Sequence, residues 1–157
     1  MSEPVSWQLL EHVQAALRLV TVARGYLTDL GLAVVALEGD QLPEDNTPYT
    51  VVLATDLPID EESSTRSTTR TDMEVTVEFA VPFAADQNAN RAAHRARADV
   101  IRALIPLRKN PKDRPLGVNN FQITGSTIGT PEGGAGVVIA QVTARASLTE
   151  SNSPASP

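Results

Sequence analysis

DMEVTVEFAVPFAADQNANRAAHRARADVIRALIPL, residues 72–107, decides the fold. Met73, Val75, Val77, Phe79 and Val81 fall on one side of an extended chain, and Glu74, Thr76, Glu78 and Ala80 on the other. That period of two predicts a strand with one buried and one wet face. Pro82 has no N–H to donate and should end the ladder. From Asp86 the apolar positions become Ala89, Ala93, Ala96, Val100, Leu104 and Leu107, helical spacing with a narrow stripe suited to lying on a sheet. Pro106 and Pro111 should stop this helix near Leu107.

Upstream, Ser6 is a candidate N-cap for a first helix in which Trp7, Leu10, Val13, Leu17 and Val20 recur at steps of three and four. Gly25 would end it after Arg24 in a left-handed cap. Tyr26 to Gly31 then reads as a turn into a short apolar strand, Leu32 to Leu37, followed by a loop from Glu38 to Pro48. Tyr49 to Ala54 is a second β-rich segment that pairs naturally with the strand from Asp72. Between them, TDLPIDEESSTRSTTRT (55–71) is polar and too long for a tight hairpin. It is expected to be mobile in a free subunit, either as a plain flexible loop or as an arm that orders only against a partner, because it cannot bury enough apolar surface to offset its ordering entropy.

Downstream come a basic connector (Arg108 to Gly117), a strand near Asn120 to Ile128, a Gly-rich turn (Gly129 to Gly136) and a long strand, Val137 to Leu148, with Val138, Ala140, Val142, Ala144, Ala146 and Leu148 on one face. Residues 151–157, SNSPASP, read as a disordered tail. The predicted class is a small α/β (α+β) fold: a mainly antiparallel sheet of four to five strands packed against two helices, with a long polar hairpin arm. One domain is expected over residues 1–150.

Charge is distributed in two blocks. Residues 1–65 hold eleven acids against Arg18 and Arg24, whereas residues 86–116 hold eight bases against Asp86, Asp99 and Asp113. Such asymmetry lets one copy's basic face meet a neighbour's acidic face, a contact that closes into a ring or runs on as a filament. A solvated helix face beside acidic loops would give the same pattern.

Catalytic and cofactor signatures are lacking. There is no cysteine, so disulfide, thiolate and Cys-zinc chemistry are excluded. Glycines 129–136 are followed by Val-Val-Ile, a strand, where a phosphate loop needs Lys-Ser/Thr and a helix. His12 and His94 do not share a metal motif. Asp56, Asp60, Glu61 and Glu62 are interrupted by Pro58 and Ile59, which does not fit a calcium loop. No Gly-x-Ser-x-Gly elbow occurs. Sequence-specific nucleic-acid reading is disfavoured by the net charge of −6 and an aromatic content of 4%. The acidic N-terminus and the lack of a membrane-length apolar run predict a product kept in the cytoplasm, with no membrane partner.

The order of elements resembles the tail terminator (tail completion) proteins of long-tailed bacteriophages. The resemblance covers about residues 5 to 150 and is carried by Gly25-Tyr26 with Thr28-Asp29 and Gly31, the strand Glu74 to Glu78, the helix segment Arg97 to Leu104, and Pro131-Glu132-Gly133. It implies a structural, non-enzymatic virion protein without cofactor, assembled in the host cytoplasm. Such a protein forms a homo-oligomeric ring, most often a hexamer, on the head-proximal end of the tail tube. Its partners would be the tail tube protein and a head–tail connector or stopper protein. The expected interface residues are Arg91, Arg95, Arg102, Arg108 and Lys109 on the helix and connector, with Asp60, Glu61, Glu62, Arg66 and Arg70 on the arm. Another neck component, or a non-viral ferredoxin-like module, remains an alternative.

Overall fold

The computed structural model describes residues 3–37, 49–83, 88–129 and 136–152. Its elements are α1 (Val5–Arg18), β1 (Val34–Leu37), β2 (Tyr49–Asp56), β3 (Ile59–Asp60), β4 (Thr68–Pro82), α2 (Ala89–Lys109), β5 (Val118–Ile128) and β6 (Val137–Ser151). The sheet runs β1-β2-β4-β6-β5, with β3 paired to β4 off that path. β1 and β2 are parallel, and the other pairs are antiparallel. The result is a mainly antiparallel α+β fold with two helices, as the alternation of β4 and the stripe of α2 require.

β4 and β6 are the spine. They pair along their whole lengths, from Thr68 opposite Ser151 to Pro82 opposite Val137. Met73, Val75, Val77 and Phe79 on β4 join Val142, Ala144 and Leu148 on β6 in one buried cluster with Leu9, Val13 and Leu17 of α1 and Ala96, Val100 and Leu104 of α2. Alanines on facing surfaces (Ala93, Ala96 and Ala103 against Ala140, Ala144 and Ala146) leave room for α2 to lie close to the sheet. Each large side chain buried here stabilises the fold by about 1.5–3 kcal/mol.

Several boundaries differ from expectation. α1 starts one residue before Ser6, with Pro4 at the N-cap position, and the Ser6 N–H donates to Glu150 Oε1 (3.3 Å). It ends at Arg18, not Arg24. The loop ahead supplies better partners: Gly31 N–H donates to Val20 O (2.7 Å), and Asp29 Oδ1 accepts from Val22 N–H (2.8 Å). Gly25 does adopt the left-handed conformation, at φ 89°, but it caps the short 3-10 turn Val22–Arg24. Pro106 lies inside α2 and does not stop it. One N–H is lost there, yet Asn110 N–H still reaches Pro106 O (2.9 Å), so the helix runs on to Lys109.

The second face of β4 is not simply wet. Thr76 and Ala80 on that face are buried. The polar stretch 55–71 is also more ordered than its composition suggests. β2 continues to Asp56, Ile59 and Asp60 pair with Thr71 and Arg70, and Thr68 to Thr71 pair with β6. Order here comes from a backbone ladder, which composition does not report. Ser151 and Asn152 of the expected tail are held as well, with Asn152 N–H donating to Ser67 O (2.7 Å). The predicted loop 38–48, the helix start at Asp86, the core of the Gly-rich turn (130–135) and residues 153–157 lie outside the described residues.

Candidate assembly surface

Two charged segments sit at the same end of the sheet. β2 runs toward the arm, and α2 returns from the far end of β4 to deliver Arg108 and Lys109 beside the start of β5. The connector is braced internally. Arg114 Nη1 donates to the carbonyls of Leu107 (3.1 Å) and Arg108 (3.2 Å), satisfying groups that α2 leaves open at its C-terminus. Asn110 Oδ1 accepts from Lys112 N–H. Arg108, Lys109 and Lys112 stay exposed.

The arm is a compact tip. Asp60 Oδ1 accepts from Ser63 N–H (3.2 Å), and Ser64 Oγ donates to Asp60 O (2.6 Å). The bonds from Ser63 hold the Asp60 carboxyl below the usual carboxylate range, with Arg70 adding a smaller pull. Glu61, Glu62 and Arg66 point to solvent. Arg70 is half-buried, its N–H bonded to Ser64 Oγ (3.0 Å).

On α2 the expected basic face divides. Arg91 and Arg95 are exposed, and among the described residues neither they nor Arg108 and Lys109 are in an ion pair. Arg102 is different. Its Nη1 donates to Gly25 O (2.8 Å), and its guanidinium lies 4.7 Å from the centre of the Tyr26 ring. This arginine fastens a turn of its own chain while its side chain stays exposed. Reversing Arg91 and Arg95 to Glu should leave the unfolding midpoint unchanged. Arg102→Glu should lower stability by about 1–2 kcal/mol through loss of the cation–π contact and the charged hydrogen bond. Equal effects in urea titrations would contradict this division.

Beside Arg102 lies a group that charge counting missed. Asp99 is 1% exposed. Its Oδ1 accepts from Leu27 N–H (3.1 Å), and its Oδ2 accepts from Thr28 N–H (2.8 Å) and Thr28 Oγ (2.6 Å). A buried carboxylate is tolerated where several donors surround it. Asp99 therefore clamps the Gly25–Gly31 turn onto the middle of α2. The signal in sequence was an acid inside the apolar stripe, one position before Val100.

The sheet face away from the helices carries a polar centre. Tyr49 donates to Glu78 Oε1 (2.9 Å), and Gln141 Nε2 to Glu78 Oε2 (3.1 Å). Burial first, then the hydrogen bond and charge of Glu78, push the Tyr49 hydroxyl from 10.0 up to about 12. A raised folded-state pKa adds stability that is fully present below pH 10 and is lost as pH climbs through about 12. Glu78→Gln should bring the Tyr49 transition down, though not to 10, since burial remains. Ultraviolet titration checks this; an unmoved transition would remove Glu78 as a cause.

Among the described residues no group of three or more His, Asp or Glu is placed to hold a metal ion, and no helix is long and apolar enough to cross a membrane. His12 Nδ1 is spent on Gln8 O (2.9 Å).

No protein-family model and no curated protein matches the sequence. Among solved structures, a chain from the virion of a native gene transfer agent particle is similar at a TM-score of 0.61 and 17% identity, over 95% of this chain and 100% of that one. A second, the sheath/tube terminator of an extracellular contractile injection system (PVC) in its extended state, aligns over 100% of this chain and 61% of its own at 16% identity. Its TM-score is 0.35, a level from which no common fold follows. The chain thus shares its fold, over 95% of its length, with a chain of a gene transfer agent virion.

Proposed function

We propose that this chain is a structural subunit of a phage-like tail: a tail terminator that forms a ring on the head-proximal end of the tube, stops its polymerisation and presents the surface to which the head joins. The observation that carries the reading is the fold likeness to a gene transfer agent virion chain, which spans both chains almost completely. The order of elements described above supports it. So does the exposure of charged side chains at one end of the sheet, since a subunit that binds copies of itself and a tube needs surface more than a cleft. The role is one of assembly, without catalysis, and its partners are further copies of the chain, the tube subunit and a connector. Residues 1–150 act as one unit in it.

Deleting the reading frame in cells that make the particle tests the role. Tubes of uncontrolled length that fail to acquire heads are expected. Tubes of normal length that merely fail to join heads would assign the chain to the connector side of the neck instead, and normal particles would reject both readings.

A further inference from the structure

Three apolar side chains stand out of the arm end of the sheet. Leu57 is 41% exposed, Ile59 62% and Leu116 96%. They do not form one patch. Ile59 is opposite Thr71, Thr71 opposite Leu148, and Leu148 opposite Val118, so a single row crosses β3, β4, β6 and β5. Leu116 sits just beyond that row on the β5 side, where Gly117 O accepts from Thr149 N–H (2.8 Å). Three strand spacings, about 14 Å, therefore separate the two apolar points. Within one chain they cannot meet.

Their surroundings are of opposite sign. Leu57 and Ile59 lie among Asp56, Asp60, Glu61 and Glu62, with Arg66 and Arg70 nearby; Leu116 follows Arg108, Lys109, Lys112 and Arg114, with Asp113 the one acid. Both sit at the same height along the strands, on opposite margins of the sheet. We infer that these margins are the two halves of one interface, in which Leu116 and the basic connector of one subunit dock against Leu57, Ile59 and the acidic arm of a second copy. The inference rests on the ring reading above and gives that ring its contact. Different surfaces meet, so the contact is head-to-tail, the kind that repeats around a closed ring. Leu116 is the apolar anchor, and the charges set approach and register. The corner that carries it is built for one shape: Gly117 has φ +100°, and a Cβ there would lie 2.8 Å from Thr149 O.

The chain has no cysteine, so introduced thiols report the contact cleanly. Ile59→Cys and Leu116→Cys replace exposed residues, and circular dichroism checks that each variant is folded. On oxidation, the purified double variant is expected to give a ladder of dimers, trimers and larger species. The two single variants mixed should give dimers and nothing larger, and each alone should stay monomeric. Arg108→Glu with Lys109→Glu should cut the yield at least tenfold at low salt, and Glu61→Lys with Glu62→Lys in the same chain should restore it. No ladder, or dimers from Leu116→Cys alone as abundant as from the mixture, would overturn the interface. Symmetric rings at tail ends without the ladder would remove this contact and keep the ring; the ladder without rings at tail ends would keep the contact and remove the role.

Discussion

Replacing Asp99 by Ala is expected to destabilise the subunit by about 3 kcal/mol and to free the Gly25–Gly31 turn from α2. The carboxylate is 1% exposed and accepts three hydrogen bonds, two of them from backbone N–H groups. Its removal leaves the donors of Leu27 and Thr28 without a partner, each at roughly 1–3 kcal/mol where water cannot replace it, and opens a small void. Asp99→Asn keeps a carbonyl oxygen but turns an NH₂ toward a donor, so about half the loss should remain. Gly31→Ala attacks the same turn from the other side. A Cβ at Gly31 would lie 2.6 Å from Arg18 O and 2.7 Å from the carbonyl oxygens of Leu17 and Val20. These are backbone atoms at the end of α1 and cannot swing aside, so a cost of about 2–3 kcal/mol is expected. Urea unfolding reads all three variants. An Asp99→Ala midpoint within error of the parent would show that the turn is held by something other than this carboxylate.

The second large effect belongs to the arm. Because Asp60 is opposite Arg70, replacing residues 61–69 by Asn-Gly closes the hairpin with a two-residue turn of the favoured kind. The ladder from Arg70 onward stays paired to β6, so folding and thermal midpoint should change by no more than a few degrees. Termination should nevertheless fail, with tails of uncontrolled length or tails without heads, since Glu61, Glu62 and Arg66 are gone. A cut through the whole of 55–71 would be the wrong experiment. Thr71 is 8% exposed and sits opposite Leu148, so that cut removes part of the sheet as well as the arm. Normal particles from the Asn-Gly variant would mean that the tip is a connector with no surface role.

The spine of the fold was legible because each signal was local and redundant. Five alternating apolar residues on β4 and six on β6 could be buried in one way only, and Ala93, Ala96, Val100, Leu104 and Leu107 of α2 fill the same core. What could not be read was set by partners distant in the chain. Thr68 to Thr71 have a polar composition that favours mobility, and their order comes from pairing with residues 148–151. The end of α1 is not legible locally because the groups that bind the chain just past it, Asp29 and Gly31, lie eleven or more residues past Arg18. Arg102 has the sequence context of one more base on a solvated face, and its partners, Gly25 and Tyr26, lie more than 70 residues away in the chain. Of the surface residues, Arg91, Arg95, Arg108, Lys109, Glu61, Glu62 and Arg66 are exposed. Leu116 is the most exposed large apolar side chain among those described, and no periodicity marked it.

Electron microscopy of particles that carry the protein, with and without a label on residue 3, shows whether this chain ends the tube. On the proposed reading, a ring-shaped density with rotational symmetry, six-fold, is expected at the head-proximal end of every tube, with the label on that ring. A label along the tube, on the distal tip, or on a density without rotational symmetry would contradict it.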